Sequence, residues 1–184
     1  MRYDADRKVR TRKRILDMAS AILCREGPAA VTLHRVMREL GMSHGGFYGH
    51  FESREALLEA AIESAFDRVT RALEAPQAVP GQRMRDVAAR YLGRAHLDAA
   101  SGCPLPALCG LALDQDLEER RRAMLERYRA MLAVRGADDA SGHAVLALML
   151  GGVALARAYG GETGEAILRD CRHAVKTLEN NPAG

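Results

Sequence analysis

TLHRVMRELGMSHGGFYGHFESREALL, residues 32–58, is the stretch that decides how this 184-residue chain folds. Thr32 is a good N-cap for a short helix through Leu40, and Gly41 supplies the left-handed residue that ends it. Ser43 then caps a further short helix, about His44 to Phe51. Two short helices with a glycine turn between them are the layout of a helix-turn-helix. The second helix holds three glycines, each disfavouring it by roughly 1 kcal/mol relative to Ala, so something other than propensity must justify it.

Outward from this segment the chain reads as helix in both directions. Upstream, Ile15, Ala19 and Ile22, widened by Leu16 and Leu23, mark one face of a helix over Val9–Glu26, which Gly27-Pro28 stops. Downstream, Ser53 opens a fourth helix with the stripe Leu58, Ile62, Ala65, Val69 and Leu73, closed by the break at Pro76–Gly81. Helices are then expected over about 82–99, briefly up to Leu113 after a Ser101–Pro106 loop, and from Asp116, where Glu119 completes a capping box. Leu117, Arg121, Met124, Tyr128 and Met131 share a face of that last helix, Arg135–Gly142 connects onward, and the final helices span about 143–159 and 164–179. No strand pattern occurs, and with aromatics at 4%, no Trp, and Ala, Leu, Arg and Glu dominant, the composition predicts an all-α fold.

Charge is uneven. Residues 1–51 hold ten Lys/Arg against five Asp/Glu, or +5, which leaves −2 of the net +3 for the remainder. A basic segment of this size suits phosphate, because neutralised phosphates release counterions. Cys24, Cys103, Cys109 and Cys171 form no CxxC pair, and no apolar leader opens the chain, so a reducing cytoplasm is expected. The most apolar run, Ala144–Ala156, is thirteen residues, below the roughly 17–25 of a membrane span, and predicts a buried helix with no membrane partner.

Thr32, Gly41, Ser43, Phe47, Tyr48, His50, Phe51, Ser53, Arg54, Glu55 and Leu57 carry a specific pattern. The segment resembles the DNA-binding region of the TetR family of regulators, over about 50 residues counting the first helix. Residues 80–184 follow that family only in helical layout, length and position. The resemblance implies an N-terminal three-helix helix-turn-helix domain (1–53), a fourth helix (54–74) connecting the domains, and a helical ligand-binding and dimerisation domain (54–184). It implies that Thr32, Tyr48, His50 and Arg54 contact phosphates of a double-stranded operator while His44 and its neighbours address bases. The full DNA-binding set is Thr32, Arg35, Ser43, His44, Gly45, Phe47, Tyr48, His50 and Arg54, with Phe47 and Phe51 also packing the small core. Met37 and Leu40 stand where the family commonly has Ala, and Gly49 where it often has a larger or basic residue. Arg10, Arg12, Lys13 and Arg14 are further candidates for backbone contacts.

A homodimer is required to reach successive major grooves, and it predicts a pseudo-palindromic operator. Ala144, Ala147, Gly151, Ala154 and Ala158 give one helix a face of small residues, and Ile167, Cys171, Ala174 and Leu178 give the last helix an apolar stripe. Together they are the expected dimer interface. The resemblance further implies a repressor released by a small-molecule inducer; Tyr91, His96, Cys103, Cys109, Met124, Tyr128, Met131 and Met149 are the candidate lining for a mainly apolar compound. No cofactor and no enzymatic activity are expected, since the chain has neither a GxxxxGK loop nor HExxH. Two alternatives stay open: a thiol- or metal-responsive regulator acting through Cys103 and Cys109, and a helical enzyme with a cysteine nucleophile assisted by His96 or His143.

Overall fold

The computed structural model describes residues 2–74, 82–97 and 102–180. The helices are α1 (Arg2–Glu26), α2 (Leu33–Glu39), α3 (Arg54–Glu74), α4 (Met84–Tyr91), α5 (Arg94–Leu97), α6 (Leu105–Leu108), α7 (Gln115–Ala133), α8 (Asp139–Tyr159) and α9 (Gly161–Asn180), with 3₁₀ turns at Pro28–Ala30 and His44–Gly46. No strand occurs among the described residues, so the fold is all-α. Contacts group the chain into two units, Met1–Arg68 with Ala99–Gly110 and Val69–Asp98 with Leu111–Gly184; α3 runs across the boundary.

In the first unit, α1 buries Ile15, Ala19, Ile22 and Leu23, the face its periodicity predicts. Thr32 caps α2 by accepting the Arg35 N–H at 3.3 Å, and Gly41 ends the turn with φ 66°. Ser53 Oγ accepts the Ala56 N–H at 3.0 Å at the start of α3. Within this unit that helix turns Leu57, Ala61 and Phe66 into the core beside Ile62 and Ala65, while Leu58 is half-buried; Val69, at the start of the second unit, is buried too, and the Leu73 side chain lies outside the described residues. The buried Ser20 hydroxyl donates to the Ala61 carbonyl at 3.0 Å and fastens α1 to α3. Leu105 and Leu108 of α6, both fully buried, pack with α1, and the Arg68 guanidinium donates to the Gly102 carbonyl at 3.2 Å. The contacts of 102–110 are therefore made with the N-terminal helices.

In the second unit α8 packs along α9, with α4 against α9 and α7 against α8. Met84, Val87, Tyr91, Met124, Tyr128, Leu132, Val145, Met149, Val153, Leu168 and Val175 make its core. Arginines close several loops: Arg172 donates to the Leu92 carbonyl at 2.5 Å and Arg157 to the His96 carbonyl at 2.7 Å. The N-cap of α7 is Asp114, accepting the Leu117 N–H at 2.9 Å, rather than Asp116. Asp116 instead sits in the first turn, where the helix dipole favours its charge. The long helix expected over 82–99 is interrupted: α4 ends at Tyr91 and the separate turn α5 follows Gly93. The expected breaks at Pro76–Gly81 and at Ser101 fall outside the described residues.

Helix α8 begins at Asp139, where Asp138 caps it by accepting the Ser141 N–H at 2.7 Å, several residues before the expected start. Over Ala140–Tyr159 it is long and apolar enough to cross a membrane by length and composition, beyond the thirteen-residue run, because small and weakly polar residues extend it. Its buried side is occupied by the chain's own helices, Val145, Met149, Val153 and Ala156 being essentially inaccessible.

Candidate nucleic-acid interface

The recognition segment is not a regular α-helix. After the 3₁₀ turn His44–Gly46 the chain continues as hydrogen-bonded turns, with Gly46 N–H donating to the Ser43 carbonyl at 3.1 Å and both His50 and Phe51 N–H groups donating to the Phe47 carbonyl, at 2.8 and 3.1 Å. Glycines at 45, 46 and 49 explain the departure, since a one-turn helix so rich in glycine has little propensity to propagate. The apolar base beneath supplies what propensity does not. Phe47 is fully buried and stacks at 5.8 Å on the buried Phe51, while the Arg12 guanidinium lies 4.1 Å over the Phe51 ring.

This anchoring corrects one member of the DNA-binding set: Phe47 has no surface to offer a partner and serves the core alone. Next to it, Tyr48 is 65% exposed, its ring edge-on to Phe47 at 5.4 Å, so the phenol is held outward by the buried neighbour. Ser43 and Gly45 are exposed, Thr32 is exposed at the start of α2, and His50 is half-buried. The His44 backbone begins the turn; its side chain lies outside the described residues.

The two arginines of the set are engaged within the chain. Arg35 meets Glu26 through both terminal nitrogens, at 2.5 and 2.6 Å, and Glu39 through Nε at 3.0 Å. The hydrogen bonds from Arg35 are the main reason the Glu26 carboxyl is held at a pKa of about 2. Arg54 donates from Nε to the Val31 carbonyl at 2.8 Å and from Nη2 to the Pro28 carbonyl at 2.9 Å. It thereby ties the turn that enters α2 to the first turn of α3. Arg54→Ala is expected to destabilise the N-terminal unit by about 1–2 kcal/mol, since two charge-assisted bonds are lost to carbonyls left without that donor. Urea unfolding followed by circular dichroism checks it, and an unchanged midpoint would contradict the clamp. Such pairs, nine to 26 residues apart in sequence, leave no trace in local periodicity.

The candidate ligand set divides. Tyr91, His96 and Tyr128 form a cluster in the second unit, Tyr91 stacked on His96 at 4.3 Å and edge-on to Tyr128 at 5.7 Å. Burial, with Arg157 and Arg90 nearby, lowers the His96 pKa from 6.5 to about 4, so the imidazole is neutral near pH 7. Met124 and Met149 are buried in the same unit and Met131 is half-buried. Cys103 and Cys109 belong instead to the first unit, the former buried and the latter exposed, because Leu105 and Leu108 fix their segment on α1. Among the described residues no group of three or more His, Cys, Asp or Glu side chains is arranged to hold a metal ion. On the expected dimer faces, Ala144, Gly151 and Ala154 are half-buried and Ala147 and Ala158 exposed; Ile167, Cys171, Ala174 and Leu178 are all half-buried.

Residues 15–61 match the model of the family described as bacterial regulatory proteins, tetR family. Over 52 residues the chain is 40% identical to YerO of Bacillus subtilis (strain 168), described as an uncharacterized HTH-type transcriptional regulator; the match spans 28% of this chain and only 18% of that protein. Over nearly its whole length the fold is similar to a TetR transcriptional regulator from Chloroflexus aurantiacus J-10-FL, with a TM-score of 0.72, 25% identity, and 95% and 96% of the two chains covered. A TetR-family regulator from Cytophaga hutchinsonii shares the fold with a TM-score of 0.68 at 18% identity, again over 95% and 96% of the two chains. With the helix-turn-helix signature seated on an all-helical body of matching extent, the chain carries the DNA-binding region of the tetR family and the fold of TetR transcriptional regulators.

Proposed function

We propose that this chain is a cytoplasmic homodimeric repressor that binds a pseudo-palindromic double-stranded operator and is released by a small, mainly apolar inducer. Residues 1–53 act as the DNA-binding head, the helix 54–74 connects, and 54–184 carry the inducer site and the dimer contacts. The observation that carries the reading is the recognition turn: Ser43, Gly45 and Tyr48 stand exposed on a base of buried Phe47 and Phe51, on a segment with an excess of positive charge. A rigid apolar base under polar donors is what phosphate positioning and base readout need.

Dimerisation is supported by α8 and α9. Leu155 and Tyr159 are 53% and 68% exposed, beside the small residues of the stripe, and among the described residues nothing lies within 4 Å of where a Cβ on Gly151 would stand. Inducer binding is supported by the Tyr91, His96 and Tyr128 cluster with Met124 and Met149, apolar bodies with a few polar tips. An inducer acts by favouring a conformer in which the two heads no longer match the operator spacing.

Two variants test the head. Tyr48→Phe removes one hydroxyl donor from an exposed ring and is expected to weaken binding to every duplex about threefold to tenfold with sequence preference unchanged. His44→Ala is expected to redistribute preference among operator variants. Competition titrations against a mutated operator panel measure both. A uniform loss in the His44 variant, or a changed preference in the Tyr48 variant, would contradict the assigned roles.

A further inference from the structure

The cysteines differ in their surroundings. Cys109 is exposed and Cys171 half-buried, whereas Cys24 and Cys103 are buried, at 0% and 2% exposure, and both belong to the first unit. Cys24 lies near the end of α1, and Cys103 stands just before α6, the short helix whose Leu105 and Leu108 pack with α1.

Arg68 of α3 joins these two places. A single nitrogen, Nη2, donates to the Cys24 sulfur at 3.5 Å and to the carbonyl of Gly102, the residue before Cys103, at 3.2 Å. The Arg68 Nε is buried and has no hydrogen-bond partner. Among the described residues this guanidinium meets no carboxylate, in contrast to Arg35, which Glu26 and Glu39 neutralise. A cation drawn partly out of water without a counter-ion is costly. The group it touches that can supply a negative charge is the Cys24 thiol, as a thiolate.

We infer that Cys24 and Cys103 are a peroxide-responsive thiol pair, with Arg68 as the positioning residue that favours the Cys24 thiolate and holds the segment of Cys103 next to it. The Cys24 sulfur attacks one oxygen of hydrogen peroxide, the O–O bond breaks, and the departing hydroxide takes the thiol proton and leaves as water. Cys24 is then a sulfenic acid. The Cys103 sulfur attacks the Cys24 sulfur, the S–O bond breaks, and the second hydroxide leaves as water with the Cys103 proton. Two thiols are oxidised to one disulfide while one peroxide is reduced to two waters. Hydrogen peroxide is uncharged and little larger than water, so it reaches thiols that burial shields from bulky reagents. The new bond ties the 102–110 segment covalently to α1, where Leu105, Leu108 and Arg68 otherwise hold it by packing and hydrogen bonds.

The test treats the full, reduced chain with hydrogen peroxide, alkylates the remaining thiols, and maps the peptides without reductant. A Cys24–Cys103 crosslink within one polypeptide is the expected product, and Cys109→Ser should leave its yield and rate unchanged. Arg68→Gln is expected to slow closure about tenfold, the effect of raising a thiol pKa by one unit. Arg68→Lys, which keeps the charge, should recover most of the rate, a rescue that a merely structural arginine would not give. A Cys103–Cys109 crosslink, a crosslink between chains, or oxidation confined to Cys109 overturns the assignment. Closure of Arg68→Gln at the wild-type rate, or of Arg68→Lys as slowly as Arg68→Gln, overturns the role given to the guanidinium. These measurements involve no DNA, so their outcome is independent of the function proposed above.

Discussion

Gly164→Ala is expected to lower the stability of the helical C-terminal unit by about 2–3 kcal/mol, among the largest effects of any single methyl group added to this chain. Gly164 is buried on α9 where that helix meets α8, and a Cβ there would run into the Ala156 carbonyl oxygen, with the Ala156 carbonyl carbon and α-carbon at 3.3 and 3.5 Å behind it. Backbone cannot swing aside as a side chain can, so the two helices must separate. Because α8 and α9 carry the expected dimer faces, the loss reaches beyond local packing. Gly152 offers the contrast. A Cβ there meets Cys171 Sγ and Leu92 Cδ2, both at 2.9 Å, and these ends can shift, so Gly152→Ala should cost about 1 kcal/mol. Thermal melts followed by circular dichroism should place Gly164→Ala roughly 4–10 °C below wild type, with Gly152→Ala between them. A Gly164→Ala protein melting with wild type would mean that α8 and α9 do not approach as described.

Gly151→Arg is expected to give a helical protein that sediments as one chain and binds the operator at least about a hundredfold more weakly. Among the described residues nothing stands within 4 Å of a Cβ at Gly151, so the new side chain starts into open space. It places a bulky charge in the middle of the small-residue face that a second α8 would need for close packing. Two heads held on one dimer gain effective concentration for the second half-site, a factor on the order of 10²–10⁴, and a monomer forfeits it. Analytical ultracentrifugation beside operator titration reads both effects. A two-chain species with wild-type affinity would move the dimer interface elsewhere.

The sequence carried the helical class plainly, and the reasons are local. Ile15, Ala19 and Ile22 repeat at helical spacing, Thr32 caps, Gly41 ends its turn with the left-handed φ its position predicts, and Ser53 caps α3 through Ala56. What the sequence did not carry is tertiary. The Arg35–Glu26 and Arg54–Val31 contacts join residues far apart along the chain, so two side chains of the expected DNA-binding set are engaged in holding the N-terminal unit together. The α7 cap falls at Asp114 because several acidic residues cluster there and pattern alone does not choose between them. Ile62, Ala65 and Val69 are buried as their spacing predicts, but Leu57, Ala61 and Phe66 widen the buried face of α3 and Leu58 falls to its half-buried edge. The α6 segment packs on α1 although α2 to α5 lie between them in the chain, and no periodicity records a pairing over that separation. Only the buried pair Leu105 and Leu108 hints that this short helix has a packing surface of its own.

Sequence-specific DNA binding by two chains is tested most directly by a salt-dependent fluorescence anisotropy titration. The duplexes are the DNA flanking the protein's own coding region and a scrambled sequence of equal length. Tighter binding to the flanking duplex, saturating at two chains per site and weakening steeply with salt, is the predicted result. Absence of binding to either duplex even at low salt would contradict it.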